Sequence, residues 1–258
     1  MVDLSISLVS HNSYDDLKLL MPSLKEGLKN IQSEILLVDN NSEDDSVRFI
    51  KEHYPEVILT ENKKKYGYGA NQNKNLNRAK GRYVLFMNAD MVIMPDTLSI
   101  LCQFMEHHSD VGICSANVLN VDGTLQYLNK QYPSLLDLIL RRFVPNCLEN
   151  MFKTRLHYYE MRETGYAFPI DIPFISGCFM FCRTSIIRAV KGFDETYFLY
   201  FEDVDLCRKV QKYARTVSCP DAEVIHRWER AAHKELKWFI IFVKSAIQYF
   251  NKWGYAFY

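Results

Sequence analysis

A mixed α/β fold, with a Rossmann-like and mostly parallel sheet flanked by helices, is predicted by three features of this sequence. Short apolar runs of about five residues recur along the N-terminal third, as strands buried on both faces of a parallel sheet require. Stretches with helical spacing alternate with these runs, and such alternation implies parallel strands joined by right-handed crossovers. Several runs end abruptly in Asp, Asn or Ser, at the strand ends where open α/β sheets bind ligands. The 258 residues, 48% of them hydrophobic, suffice for one large domain with its own core.

Leu4 to Val9 reads as the first strand, followed by Ser10-His11-Asn12-Ser13 as a turn and helix cap. Leu17, Leu20, Met21 and Leu24 then share one helix face. Glu34 to Val38 is the second strand; it closes in Asp39-Asn40-Asn41-Ser42, and Glu43, Asp44 and Asp45 form the acidic first turn of another helix. Val57 to Thr60 is the third strand, and Tyr66 to Asn73 is a glycine-bearing loop entering a helix, where Gly67 and Gly69 let backbone amides approach a phosphate. Tyr83 to Met87 is the fourth strand, delivering Asn88 and Asp90 to its carboxyl end. A carboxylate held there suits a metal or a sugar nucleotide, although Asp90 is also an ordinary turn residue ahead of Pro95.

Leu98, Leu101, Cys102 and Met105 predict a helix from Asp96 to His108, and Val111 to Ala116 a further strand. Asp122-Gly123-Thr124 reads as a tight turn. From Gln126 to Phe168, a stretch containing Arg141, Arg142 and Arg155, regularity fades; it reads as an acceptor-facing excursion or as a surface helix pair. Phe174 to Cys182 reads as one strand, followed by a short helix. Glu202, Asp203 and Asp205 then crowd a helix start, where Glu202 and Asp205 share a face and Asp203 points elsewhere. Val224 and Ile225 close another strand, leading into His226, Arg227 and Arg230.

The 31 basic and 31 acidic residues leave no net field to attract nucleic acid. The seven cysteines contain no C-x-x-C pair, the pattern of reduced, buried thiols in a cytoplasmic protein. The first ten residues lack the basic-then-apolar layout of a signal peptide, and no apolar run reaches the roughly 18 residues of a membrane span.

Four ordered motifs carry a family resemblance: Ser10-His11-Asn12-Ser13, Val38-Asp39-Asn40-Asn41-Ser42, Gly67-Tyr68-Gly69-Ala70-Asn71 and Met87-Asn88-Ala89-Asp90. With Gly192-Phe193-Asp194-Glu195 and Phe201-Glu202-Asp203-Val204-Asp205-Leu206-Cys207, they resemble the family 2 glycosyltransferases of GT-A fold. The resemblance implies that Ser10, His11, Asn12, Asp39, Asn41, Gly69, Asn71, Asn88 and Asp90 bind the nucleotide-sugar donor, with Asp39 on the base and His11 only in the pocket wall. It implies a divalent metal, Mg²⁺ or Mn²⁺, on Asp90, and makes His226 a candidate second metal or diphosphate ligand; otherwise His226 is a satisfied structural residue. Such ions take carboxylate oxygens together with substrate phosphates. Asn88 stands where the first Asp of a strict D-x-D motif would be; it can bond a ribose but offers no charge, so metal binding is expected to be weak and exchangeable.

By the same resemblance Asp203 is the general base of an inverting displacement, with Glu202 its catalytic companion, and Ser176, Gly177, Cys178 and Asp205 lie on the acceptor side. The motifs most resemble bacterial rhamnosyltransferases that build O-antigen or other surface polysaccharides from dTDP-rhamnose on polyprenyl-diphosphate-linked acceptors. The alternatives are a UDP- or GDP-sugar donor, a nucleotidyltransferase, or a sugar-nucleotide-binding protein without catalysis. Residues 1–235 are expected to form the transferase domain, 1–95 its nucleotide-sugar half and 96–235 its acceptor and catalytic half. Residues 236–258, rich in Trp, Phe, Tyr and Lys, are expected to form an amphipathic helix that lies at the inner face of the plasma membrane, docks on the domain, or makes a homodimer contact.

Overall fold

The computed structural model describes residues 2–143, 149–227 and 236–258. The first half runs β1 (Leu4–Ser10), α1 (Tyr14–Gly27), β2 (Ser33–Asp39), α2 (Ser46–His53), β3 (Ile58–Glu61), α3 (Tyr68–Arg78), β4 (Tyr83–Asn88), β5 (Met91–Ile93), α4 (Thr97–His107) and β6 (Val111–Leu119). The second half follows as β7 (Asn129–Lys130), α5 (Leu135–Phe143), α6 (Glu149–Tyr159), β8 (Phe174–Ile175), β9 (Phe179–Arg183), α7 (Thr184–Ala189), α8 (Glu202–Val210), β10 (Arg215–His226) and α9 (Leu236–Trp253).

Eight strands form one sheet in the order β3-β2-β1-β4-β9-β6-β10-β5, and β7 pairs with β8 in a small second sheet. Parallel pairing joins β1 to β2 and β4, β2 to β3, and β6 to β10. Two strands run the other way: β9 between β4 and β6, and β5 beside β10. The mostly parallel sheet agrees with the sequence pattern, but these reversals do not announce themselves, because burial on both faces says nothing of strand direction. Side chains alternate along β4, so Tyr83, Leu85 and Met87 enter the core under α1 and α4, while Val84 and Phe86 enter the one under α7, α8 and α9.

Two local expectations change, and one of two open readings is met. Ser13 does not cap α1 with its side chain; Asp44 Oδ2 accepts the Tyr14 N–H at 3.0 Å instead. The stretch from Phe174 to Cys182 is two strands separated by Ser176, Gly177 and Cys178. The region after Gln126 contains a helix pair, stapled where Asp137 accepts bonds from Arg155 Nε at 2.7 Å and Nη2 at 2.8 Å. Ser134 Oγ and the Asp137 backbone N–H complete a capping box.

The α9 helix docks on the domain by Ser245, Ala246, Tyr249 and Phe250, whereas Leu236, Ile240, Val243 and Ile247 stay exposed. Among the described residues no helix is long and apolar enough to cross a membrane.

Candidate active site

The carboxyl ends of β1, β2 and β4 meet in register, Ser10 beside Asp39 and Val9 beside Asn88. Asp39 is buried and fixes the turn after β2: its carboxylate accepts the Ser42 N–H at 3.0 Å, the Ser10 hydroxyl at 3.3 Å and the Ser42 hydroxyl. Asn12 and Asn41 both adopt left-handed backbone, φ 52° and 61°, which Asn tolerates better than most residues. Asn12 Oδ1 accepts the Glu43 N–H at 2.8 Å, so the two post-strand turns are tied together. His11 borders this concavity partly exposed, with its Nδ1 buried and unbonded among the described residues.

Asp90 stands at the next strand end. Its Oδ2 lies 3.3 Å from His226 Nε2, and its buried Oδ1 has no hydrogen-bond partner among the described residues. His226 is oriented from behind by Gln126, whose Oε1 is 3.0 Å from Nδ1 and whose Nε2 donates to the His226 carbonyl at 2.8 Å. With Nδ1–H donated to Gln126, the Nε2 lone pair faces a carboxylate, an arrangement that a cation between them would satisfy. No cluster of three metal-type ligands occurs among the described residues, and Asp90 and His226 are two groups that could hold a cation together with substrate oxygens.

The Ser176–Cys178 turn links this edge to the acidic helix. The Cys178 carbonyl accepts the Asn88 N–H at 3.0 Å, the Gly177 carbonyl accepts the Tyr68 hydroxyl at 2.9 Å, and the Gly177 N–H donates to Asp203 Oδ2 at 3.0 Å. Asp203 Oδ1 also accepts the Val204 N–H at 2.9 Å at the positive end of α8. Burial pushes the Asp203 carboxyl up, with the Gly177 amide and Lys130 acting against it. Buried Glu202 is pushed to about 8 by desolvation and by its neighbour Asp203, so it keeps its proton at neutral pH. Two large residues just before them, Tyr200 and Phe201, are left-handed at φ 70° and 68°, a strained pair of the kind that persists only where surroundings enforce it. The enforcement comes from α9: Phe242 and Tyr249 lie against the Phe201 ring at 5.4 and 5.3 Å, and Ser245 Oγ donates to the Leu199 carbonyl at 2.8 Å.

The sequence model of glycosyl transferase family 2 matches residues 5–190, well over half of the chain. The chain belongs to this family. It is 29% identical over 208 residues to the N-acetylglucosaminyl-diphospho-decaprenol L-rhamnosyltransferase of Mycobacterium tuberculosis, covering 74% of this chain and 66% of that protein. It is 26% identical over 214 residues to the rhamnosyltransferase WbbL of Escherichia coli K12, covering 80% and 75% of the two. The mannosyltransferase PcManGT of Pyrobaculum calidifontis, solved with GDP-Man and Mn²⁺, superposes with a TM-score of 0.63 at 18% identity over 96% of this chain and 63% of that one. The chain thus spans just under two thirds of the mycobacterial relative and of that solved chain, and its fold is the GT-A fold.

In this family 2 chain the candidate residues separate into those that line the cleft and those that build it. Gly69 builds: a Cβ there would sit 2.8 Å from Phe193 Cβ, so the glycine lets α3 close on the segment before α8. Gly67 likewise faces the Tyr197 and Phe198 carbonyls, each 2.8 Å from a Cβ placed there. Asn71 is fully buried, accepts from Asn62 Nδ2 at 2.9 Å and donates to the Tyr66 carbonyl at 3.4 Å, holding the loop ahead of α3. Asp205 is fully buried and turned to α9, accepting from Trp253 Nε1 at 2.8 Å and pairing with Lys252 at 2.7 Å, so it is an anchor rather than an acceptor contact. Arg227 pairs with Asp16 at 3.3 Å, and Arg230 lies outside the described residues. Gln126 and Tyr68 touch candidate site residues and were missed by sequence reasoning; Gln126 lies in the irregular stretch, where spacing carries no signal. A cavity of about 590 Å³ opens elsewhere, at the amino ends of β6 and β10, but its Arg215 is already paired with Asp110 and Asp171.

Proposed function

We propose that this chain is an inverting, metal-dependent glycosyltransferase that moves a sugar from a nucleotide donor to a hydroxyl of a glycan acceptor. The observation that carries the proposal is the Ser176–Cys178 turn, which ties Asn88 of the Asp90 strand end and Asp203 to one short backbone segment. Ser10, His11, Asn12, Asp39, Asn41 and Asn88 would line the nucleotide and ribose side. Asp90 and His226 fit a divalent ion, since they present a buried unbonded carboxylate oxygen and an oriented imidazole. When bound, that ion neutralises charge on the donor diphosphate.

The chain's own groups then do the following. Asp203 takes the proton of the acceptor hydroxyl as its oxygen forms the new bond to the anomeric carbon. The bond from that carbon to the diphosphate oxygen breaks, and its electron pair leaves with the nucleoside diphosphate. Glu202 stays protonated beside Asp203, which leaves the single negative charge of the pair on the base. Ser176, Gly177 and Cys178 border the acceptor side of Asp203.

Rhamnose from a dTDP donor and a lipid-diphosphate-linked acceptor are the preferred substrates; both relatives are rhamnosyltransferases, and the mycobacterial one acts on a diphospho-decaprenol acceptor. A lipid-linked acceptor brings the chain to the inner face of the membrane, and the exposed stripe Leu236, Ile240, Val243 and Ile247 with Lys237 and Lys244 supports peripheral contact there. Incubation with UDP-, GDP- and dTDP-sugars, Mn²⁺ or Mg²⁺ and a diphospholipid-linked sugar should release nucleoside diphosphate from one donor class. No release with any donor would end the proposal, whereas pyrophosphate release from a nucleoside triphosphate would favour a nucleotidyltransferase.

A further inference from the structure

Tyr68 takes no part in the scheme above, yet it grips both segments that flank the base. It opens α3, and its backbone N–H donates to the Phe198 carbonyl at 2.9 Å, in the segment that leads into α8. Its hydroxyl donates to the Gly177 carbonyl at 2.9 Å, on the turn whose Gly177 N–H reaches Asp203 Oδ2 at 3.0 Å. The direction of these bonds is fixed from behind: fully buried Gln72 donates Nε2 to the same hydroxyl at 2.9 Å, and its Oε1 accepts the Ser7 hydroxyl of β1. With one donor already pointed at it, the tyrosine oxygen has its own proton for Gly177. Burial pushes the Tyr68 hydroxyl well above its ordinary value, so that proton stays in place at neutral pH. Asn75 of the same helix donates to the Leu8 and Leu36 carbonyls at 3.0 and 3.2 Å, so the chain of bonds starts from a helix fastened to the sheet.

We infer that Tyr68 is a positioning residue for the base: its hydroxyl holds the Gly177 peptide in place, and through the Gly177 N–H it sets the orientation of the Asp203 carboxylate. The inference rests on Asp203 being the base of the proposed reaction. The turn is held at two successive carbonyls, Gly177 by the Tyr68 hydroxyl and Cys178 by the Asn88 N–H at 3.0 Å, which keeps the Gly177 N–H turned to the base. The fit is close: a Cβ at Gly177 would lie 3.1 Å from Asp203 Cβ, so the aspartate packs directly against bare backbone. Asp203 Oδ1 is taken by the Val204 N–H at 2.9 Å, and Oδ2 is the oxygen whose place depends on the turn. A swing of the turn away from α8 would release Oδ2, and a misplaced base slows proton transfer without weakening donor binding.

The test is Tyr68→Phe, which keeps the ring packed edge-on against Phe193 at 6.2 Å and removes the hydroxyl alone. Its kcat should fall about three- to tenfold, the worth of one neutral hydrogen bond, with donor Kd unchanged. In the Asp203→Asn background the same substitution should cost nothing more, because Tyr68 acts through that carboxylate. The ¹⁵N–¹H resonance of Gly177, assigned by its loss in Gly177→Ala, reads the link without turnover and should move upfield in Tyr68→Phe as the bond to Asp203 lengthens. That reading separates the two ideas: absent sugar transfer by the unaltered protein ends the proposed function, whereas an unmoved Gly177 resonance ends this inference. Wild-type kcat in Tyr68→Phe would also overturn it. So would an equal loss in both backgrounds, which marks a packing role, or a weaker donor Kd with kcat unchanged, which marks direct donor contact.

Discussion

Replacing Asp205 by alanine separates its two possible roles, acceptor contact and anchor of α9. The carboxylate is fully buried, accepts the Trp253 indole N–H at 2.8 Å and pairs with Lys252 at 2.7 Å and Lys209 at 3.8 Å. Removing one partner of a buried pair costs about 3–5 kcal/mol. Lys252 is partly exposed and keeps Asp194 at 2.7 Å, and Lys209 keeps the Gly192 carbonyl, whereas the indole N–H loses its acceptor. The expected loss is therefore at the lower end, about 3 kcal/mol for Asp205→Ala and about half that for Asp205→Asn, which keeps an acceptor oxygen. Urea unfolding at constant m reads both values, and Trp253→Phe combined with Asp205→Ala should cost less than the sum of the two. Wild-type stability with a raised acceptor KM would refute the anchor role and restore the acceptor contact.

The raised carboxyl of Glu202 makes stability depend on pH. With its folded value near 8 against an ordinary 4.5, its contribution is fully present below about 4.5 and is lost as pH rises through about 8. Urea midpoints should fall across that window, and Glu202→Gln should flatten the decline; an unchanged slope would contradict the assignment. Gly69→Ala forces a Cβ to 2.8 Å from Phe193 and should cost about 1–3 kcal/mol of stability with donor Kd unchanged, read by denaturation and calorimetry. Gln126→Leu removes the acceptor behind His226 and should weaken Mn²⁺ binding by about 10- to 100-fold in an electron paramagnetic resonance titration; equal affinity would detach Gln126 from the metal site.

The sequence showed the strands of the nucleotide half clearly because each is an apolar run ended by a polar residue, and Ser10, Asp39 and Asn88 do close neighbouring strands. It did not show that Gly67 and Gly69 allow close approach of α3 to the Tyr197–Phe198 backbone and the Phe193 side chain, since a glycine in a loop reads alike for phosphate and for chain contact. The helix spacing put Glu202 and Asp205 on one face away from Asp203, and that face is buried, but the spacing carried no sign that Trp253 and Lys252 come back to claim Asp205. Gln126 was invisible for a related reason: its contact with His226 spans 100 residues, which no local period encodes. The capping box at Ser134 and Asp137, which marks a helix start inside the stretch that otherwise lacked regularity, went unread.

Sugar transfer with Asp203 as the base is tested most directly by turnover of Asp203→Asn at saturating donor and Mn²⁺, with donor Kd measured on the same protein. Retained donor affinity with turnover lower by about 10²-fold or more is the predicted result. Near-normal turnover in Asp203→Asn would contradict it and place the base on another residue.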